Sequence, residues 1–93
     1  MSDDTIMDDE IDQPIDQLQE LIQYIAVSLV DEPDAVDVQA IERDRAVVFE
    51  LTVASSDLGK VIGKDGRTAR AMRTLLAATS AKLKKRAVLD ILE

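Results

Sequence analysis

Gly59-Lys60-Val61-Ile62-Gly63-Lys64-Asp65-Gly66-Arg67 is the stretch whose residue types and spacing suggest a definite chemistry. Gly63 and Gly66 frame a Gly-x-x-Gly turn. Glycines there admit backbone angles that a Cβ forbids, and they let another backbone come close. The turn falls where a long helix must begin. Such a helix start offers unpaired N–H groups and the positive end of the dipole to an anion such as phosphate. Lys60, Lys64, Arg67 and Arg70 would surround that point with positive charge. Asp65 puts a negative charge in the same turn, and its side chain either caps the following helix or meets the ligand directly.

Bond-making chemistry has little to work with. The 93 residues contain no His and no Cys, so the commonest general base, the thiol nucleophile and the usual transition-metal ligands are missing. What remains for catalysis is carboxylates, Lys, Tyr24 and hydroxyls; the expectation, with the resemblance given below, is a binding protein, not an enzyme, with no cofactor. A P-loop needs a Gly five residues before the Gly-Lys pair and a Ser or Thr after it; Leu58 and Asp65 stand there. The carboxylates near the N-terminus do not make an EF-hand, which requires a central Gly, because no Gly precedes Gly59.

The elements that must hold the turn follow from apolar spacing. Ile15, Leu18, Leu21, Ile22, Ile25, Ala26 and Leu29 recur at three and four, the mark of an amphipathic helix over about Ile15–Val30. Pro14 suits its first position, and Asp31-Glu32-Pro33 ends it. Val36, Val38 and Ala40 alternate with Asp37, Gln39 and Ile41, and Val47, Phe49, Leu51 and Val53 with Val48, Glu50 and Thr52; both runs read as strands, joined as a hairpin through Glu42–Arg45. A short helix Asp57–Ile62 precedes the turn and a long one, about Arg67–Lys85, follows it. Ala69, Met72, Leu75, Leu76 and Leu83 lie on one face of the long helix, and Arg67, Arg70 and Arg73 on another. Ala87–Leu92 is the last strand. The result is an α+β domain of order α-β-β-α-α-β, a three-stranded sheet covered on one face by three helices. Met1–Gln13, rich in Asp and poor in apolar residues, reads as a disordered acidic tail, leaving 14–93 as the domain.

The net charge of −8 conceals a segregation. Residues 1–44 carry −13 and residues 45–93 carry +5. The window Ser55–Arg86 alone carries +7. An acidic chain with one basic segment suits a polyanion, because the local field outweighs the sum. The tail could compete with a non-specific polyanion for that basic face. The N-terminus shows no basic and apolar leader pattern and no run approaches a membrane span, so the cytoplasm is expected.

The stretch "DLGKVIGKDGRTARAMRTLL", set in this element order, resembles the small single-domain KhpA family of bacterial KH proteins, in the type II arrangement. The resemblance covers about Ile15–Glu93. It implies that Gly63, Lys64, Asp65 and Gly66 clamp the backbone of about four single-stranded RNA nucleotides. Val61 and Ile62 would form one wall of an apolar groove, with Val48 or Glu50 of a strand opposite. Gly59, Lys60, Arg67 and Arg70 complete the expected RNA-binding set. Tyr24 and Phe49 are the only aromatics, so little base stacking is available and binding should be salt-sensitive and of low sequence specificity. The resemblance further implies an RNA chaperone or post-transcriptional regulator. Its partners would be a second copy or a KhpB/Jag/EloR-type KH protein, acting in cell elongation and division. Protein assembly as the main role is the competing reading.

Overall fold

The computed structural model describes residues 3–93, with the side chains of 14–81 and 83–93. Its elements are α1 (Asp3–Leu29), β1 (Asp37–Glu42), β2 (Ala46–Thr52), α2 (Leu58–Ile62), α3 (Arg67–Leu83) and β3 (Arg86–Ile91), with single 3₁₀ turns at Pro33–Ala35, Ser55–Asp57 and Lys64–Gly66. This is the expected order. The sheet runs β1-β2-β3, with β1 antiparallel and β3 parallel to β2.

The pleat sends Val38, then Val47, Phe49 and Leu51, then Leu89 to one face, where all are buried. Leu18, Ile22 and Ala26 of α1 and Ala69, Met72 and Leu76 of α3 cover them. α1 packs chiefly on β1 and α3 on β3, while α2 sits against both helices. Phe49, fully buried at the sheet centre, contributes on the order of 2–3 kcal/mol by leaving water.

The first helix departs from its expected start. Ile15 does not open it: the backbone is helical from Asp3, and Pro14 lies inside. Acids at a helix start complement the dipole, and no Gly interrupts residues 3–13. The cost falls at Pro14, whose missing N–H removes one helical bond. Met1, Ser2 and the side chains of residues 3–13, where the acidic tail was expected, lie outside the described residues. Two members of the expected apolar stripe, Leu21 and Leu29, are more than a third exposed. The stripe is thus narrower than its spacing suggested.

Asp57 ties these layers together. It is 1% exposed, and its Oδ1 and Oδ2 accept the backbone N–H groups of Asp31 (3.2 Å) and Glu32 (3.0 Å) at the end of α1. Lys60 Nζ reaches Asp57 at 3.3 Å and Asp31 at 3.2 Å. The start of α2 is thereby fixed to the α1–β1 connection.

Candidate nucleic-acid interface

The turn between α2 and α3 depends on its two glycines in different ways. Gly63 has φ 80° and Gly66 φ 74°, both in the region that disfavours a Cβ. A Cβ on Gly63 would also fall 2.8 Å from the backbone nitrogen of Thr68 and nearer still to its hydroxyl. The close backbone approach at Gly63 is therefore to the first turn of α3. Around Gly66 the space is open, the nearest atom being Arg70 Nη2 at 3.9 Å. Gly59 meets nothing within 4 Å and has no such constraint.

Asp65 does not cap α3. Gly66 occupies the cap position, and no side chain bonds to the first turn. Asp65 is itself left-handed, φ 57°, a conformation that Asp tolerates better than most residues. Its carbonyl accepts Arg70 Nη2 at 3.2 Å, which pulls the guanidinium toward the turn. The N–H groups of Gly66 and Arg67 are already bonded to the Gly63 and Lys64 carbonyls, so the turn offers an anion the exposed side chains of Lys64, Arg67 and Arg70.

Of the other expected site residues, Lys64, Arg67 and Arg70 are exposed around the turn. Val61 and Ile62 part company. Val61 is fully buried in the core, so only Ile62 can line a groove. Lys60 is held by Asp31 and Asp57; these partners raise its pKa, side-chain bonding to Asp31 most strongly. Burial pushes the Asp57 carboxyl up, but the two backbone N–H bonds and Lys60 together outweigh it, and the pKa is lowered.

A cleft of about 470 Å³ opens beside the turn, lined by Ile62, Gly66, Ala69, Arg70 and Arg73 on the helical side and by Ile91 and Glu93 opposite. Its far wall is thus the end of β3. Val48 and Glu50, expected there, pair with Val88 and Asp90 on the sheet face turned away from the helices. The reason is the parallel β2–β3 pairing, which puts β3 at the edge next to α3 and β2 in the middle. Arg73 was left out of the expected set, yet its Nη2 reaches the Leu89 carbonyl at 3.4 Å across the cleft. Period-two spacing marks Ile91 as inward-facing, but only strand order shows that it faces this turn.

Among the described residues no three His, Cys, Asp or Glu side chains are grouped to hold a metal, and no helix is long and apolar enough to cross a membrane.

A Gly-x-x-Gly turn between two helices, set on a sheet with antiparallel β1–β2 and parallel β2–β3, defines a type II KH domain. The sequence comparisons agree. The family model of the KhpA/KhpB KH domain matches residues 19–91. The chain belongs to that family, one of binding proteins and not of enzymes. It is 51% identical over 73 residues to the RNA-binding protein KhpA of Caldanaerobacter subterraneus subsp. tengcongensis, covering 78% of this chain and 97% of that one. Against the RNA-binding protein KhpA of Borreliella burgdorferi it is 50% identical over 74 residues, with 80% and 90% covered. For the same-named protein of Aquifex aeolicus the figures are 51% over 76 residues, 82% and 96%. No solved structure matches the chain.

Proposed function

We propose that this protein binds single-stranded RNA, clamping the phosphate backbone at Gly63–Gly66 and laying bases against Ile62 and Ile91. One observation carries the reading: two positive-φ glycines turn the chain into α3 beside a cleft in which Ile62 and Ile91 meet the cations Arg70 and Arg73. Lys64 and Arg67 add charge, whereas Lys60 serves as a strut. Phosphate contacts without aromatic stacking give salt-sensitive binding of low sequence specificity, the behaviour of an RNA chaperone or post-transcriptional regulator in the cytoplasm. Residues 14–93 form the binding domain, with the acidic segment 1–13 outside it.

The test is Lys64→Asp, which leaves both glycines in place. Fluorescence anisotropy with single-stranded RNA should show at least about a tenfold loss of affinity, with circular dichroism unchanged. Unaltered affinity in a folded variant would reject the clamp.

The assembly reading has its own support. Leu75 on α3 is 48% exposed and Leu21 on α1 is 37% exposed, among six large apolar residues left at the surface in the described part of the chain. These residues would serve a homodimer or a heterodimer with a KhpB/Jag/EloR-type KH protein, the pairing expected for a role in cell elongation and division. Leu75→Asp should then yield a monomer by sedimentation while RNA affinity for short oligomers persists.

A further inference from the structure

We propose that a second phosphate-backbone site lies at the far end of α3, and that an RNA strand held in the Gly63–Gly66 turn continues along α3 into it. This rests on the RNA-binding reading above.

A cleft of about 570 Å³ separates the β1–β2 connection from the α3–β3 turn. Arg45, Lys84, Lys85 and Arg86 line it, with Asp44 as the only acid. Its walls are tied together: Arg86 N–H donates to the Arg45 carbonyl at 3.0 Å. Lys85 Nζ donates to the Arg43 carbonyl at 3.0 Å and Glu42 Oε1 at 3.2 Å. Lys85 is thus neutralised. Arg45, Lys84 and Arg86 form no ion pair within 4.0 Å among the described residues.

The helix dipole accounts for part of this charge, since cations are favoured at a helix C-terminus. It does not account for Arg45 on the hairpin or Arg86 on β3. Three separate elements bring unpaired cations to one cleft, at a cost in mutual repulsion. Lys84 also stands left-handed, φ 55°, just past the helix end, where glycine is the usual residue.

A path joins this cleft to the turn. Arg70, Thr74, Ala77, Ala81 and Lys84 follow one another at four, three, four and three residues, and all are exposed. They make one stripe along α3, small in the middle and cationic at both ends. The small side chains let a phosphate backbone lie close. From Arg70 to Lys84 the stripe spans about 21 Å, room for roughly six nucleotides at a stacked spacing of about 3.4 Å. The footprint then grows from about four nucleotides to about ten.

The test is a triple variant, Arg45→Gln with Lys84→Gln and Arg86→Gln, in the full chain. Affinity is read by anisotropy with mixed-sequence single-stranded RNA of about five and about twelve nucleotides, across a salt series. The longer RNA should lose about tenfold in affinity, and its log–log salt slope should fall by about 2, at ~0.7 per single-strand phosphate contact. The shorter RNA should bind as before, and thermal stability at low salt should hold or rise. Unchanged affinity for the longer RNA overturns the second site. Equal losses at both lengths, or two short oligomers bound per protein, overturn the continuous path. The two readings fail separately. Lys64→Asp without effect on either RNA rejects the clamp and the path leading from it, whereas the triple variant without effect rejects the far cleft alone.

Discussion

The two glycines of the turn should differ sharply in what an alanine costs. Both need a positive φ: Gly66, at ψ 15°, is left-handed, where an L residue costs about 1–2 kcal/mol, and Gly63, at ψ 169°, lies in a region essentially reserved for glycine, at about 1–3 kcal/mol. For Gly66→Ala the backbone angle is nearly the whole effect, because the new methyl would meet nothing closer than the mobile end of Arg70 at 3.9 Å. Gly63→Ala adds a collision with the backbone nitrogen of Thr68 at 2.8 Å. Backbone cannot rotate aside, so α2 and α3 must separate by a sizeable fraction of an ångström, an overpacking cost of about 1–3 kcal/mol. The sum for Gly63→Ala is about 2–6 kcal/mol, against about 1–2 for Gly66→Ala. With an m-value near 1 kcal/mol/M, urea midpoints should fall by about 2–6 M and about 1–2 M respectively. Equal shifts for the two variants would refute the contact argument and leave only backbone angles. Gly66→Ala stays folded, so any loss of RNA affinity it shows reports on the clamp and not on stability.

The remaining predictions concern the cluster beneath the turn. Lys60→Gln should lower the melting temperature while leaving the salt slope of RNA binding unchanged, because Lys60 is occupied by Asp31 and Asp57. Lys64→Gln should do the reverse, reducing the slope by about 0.7; anisotropy across a salt series separates them. Asp57, its pKa lowered by Asp31 N–H, Glu32 N–H and Lys60 against the opposing effect of burial, contributes stability that is present above the ordinary carboxylate pKa. That contribution is lost as pH falls through the lower, folded-state value. Asp57→Asn should therefore be less stable at neutral pH and lose less on acidification than the parent, followed by circular dichroism from pH 7 to about 2.

Element types were legible because apolar residues recur at periods that belong to helix or strand. Leu18, Ile22 and Ala26 at intervals of four had one place to go, as did Val47, Phe49 and Leu51 at intervals of two. The Gly-x-x-Gly turn was legible because glycine has no substitute at positive φ. The far wall of the groove was not legible. Which strand lies beside α3 depends on parallel pairing between β2 and β3, residues some forty positions apart in sequence. Val61 and Ile62 are adjacent on a helix of only five residues, too short for periodicity to say which turns inward. Asp57 reads from local spacing only as the first residue of the short helix. Its partners, Asp31 and Glu32, are 26 and 25 residues away, and no local pattern announces them.

The segregated charge acquires a range once the helices are placed. Asp16 and Glu20 of α1 are exposed, and α1 packs alongside α3. This part of α1 lies beside Thr79, with which Leu18 and Leu21 line one hollow, and Thr79 is about 14 Å along α3 from Arg70. At physiological ionic strength the Debye length is about 8 Å, so this acidic side is screened from a strand lying on Arg70 and Lys64. At about 0.01 M salt the length grows to about 30 Å, and the whole chain's −8 opposes the approach of a polyanion. Lowering the salt then strengthens phosphate contacts and long-range repulsion together. The affinity must rise less steeply toward low salt than the number of phosphate contacts alone dictates, and a plot of log affinity against log salt must flatten at its low-salt end. A straight line down to about 0.01 M would mean that the acids of α1 lie outside the field felt by the bound strand, contrary to the packing of α1 on α3.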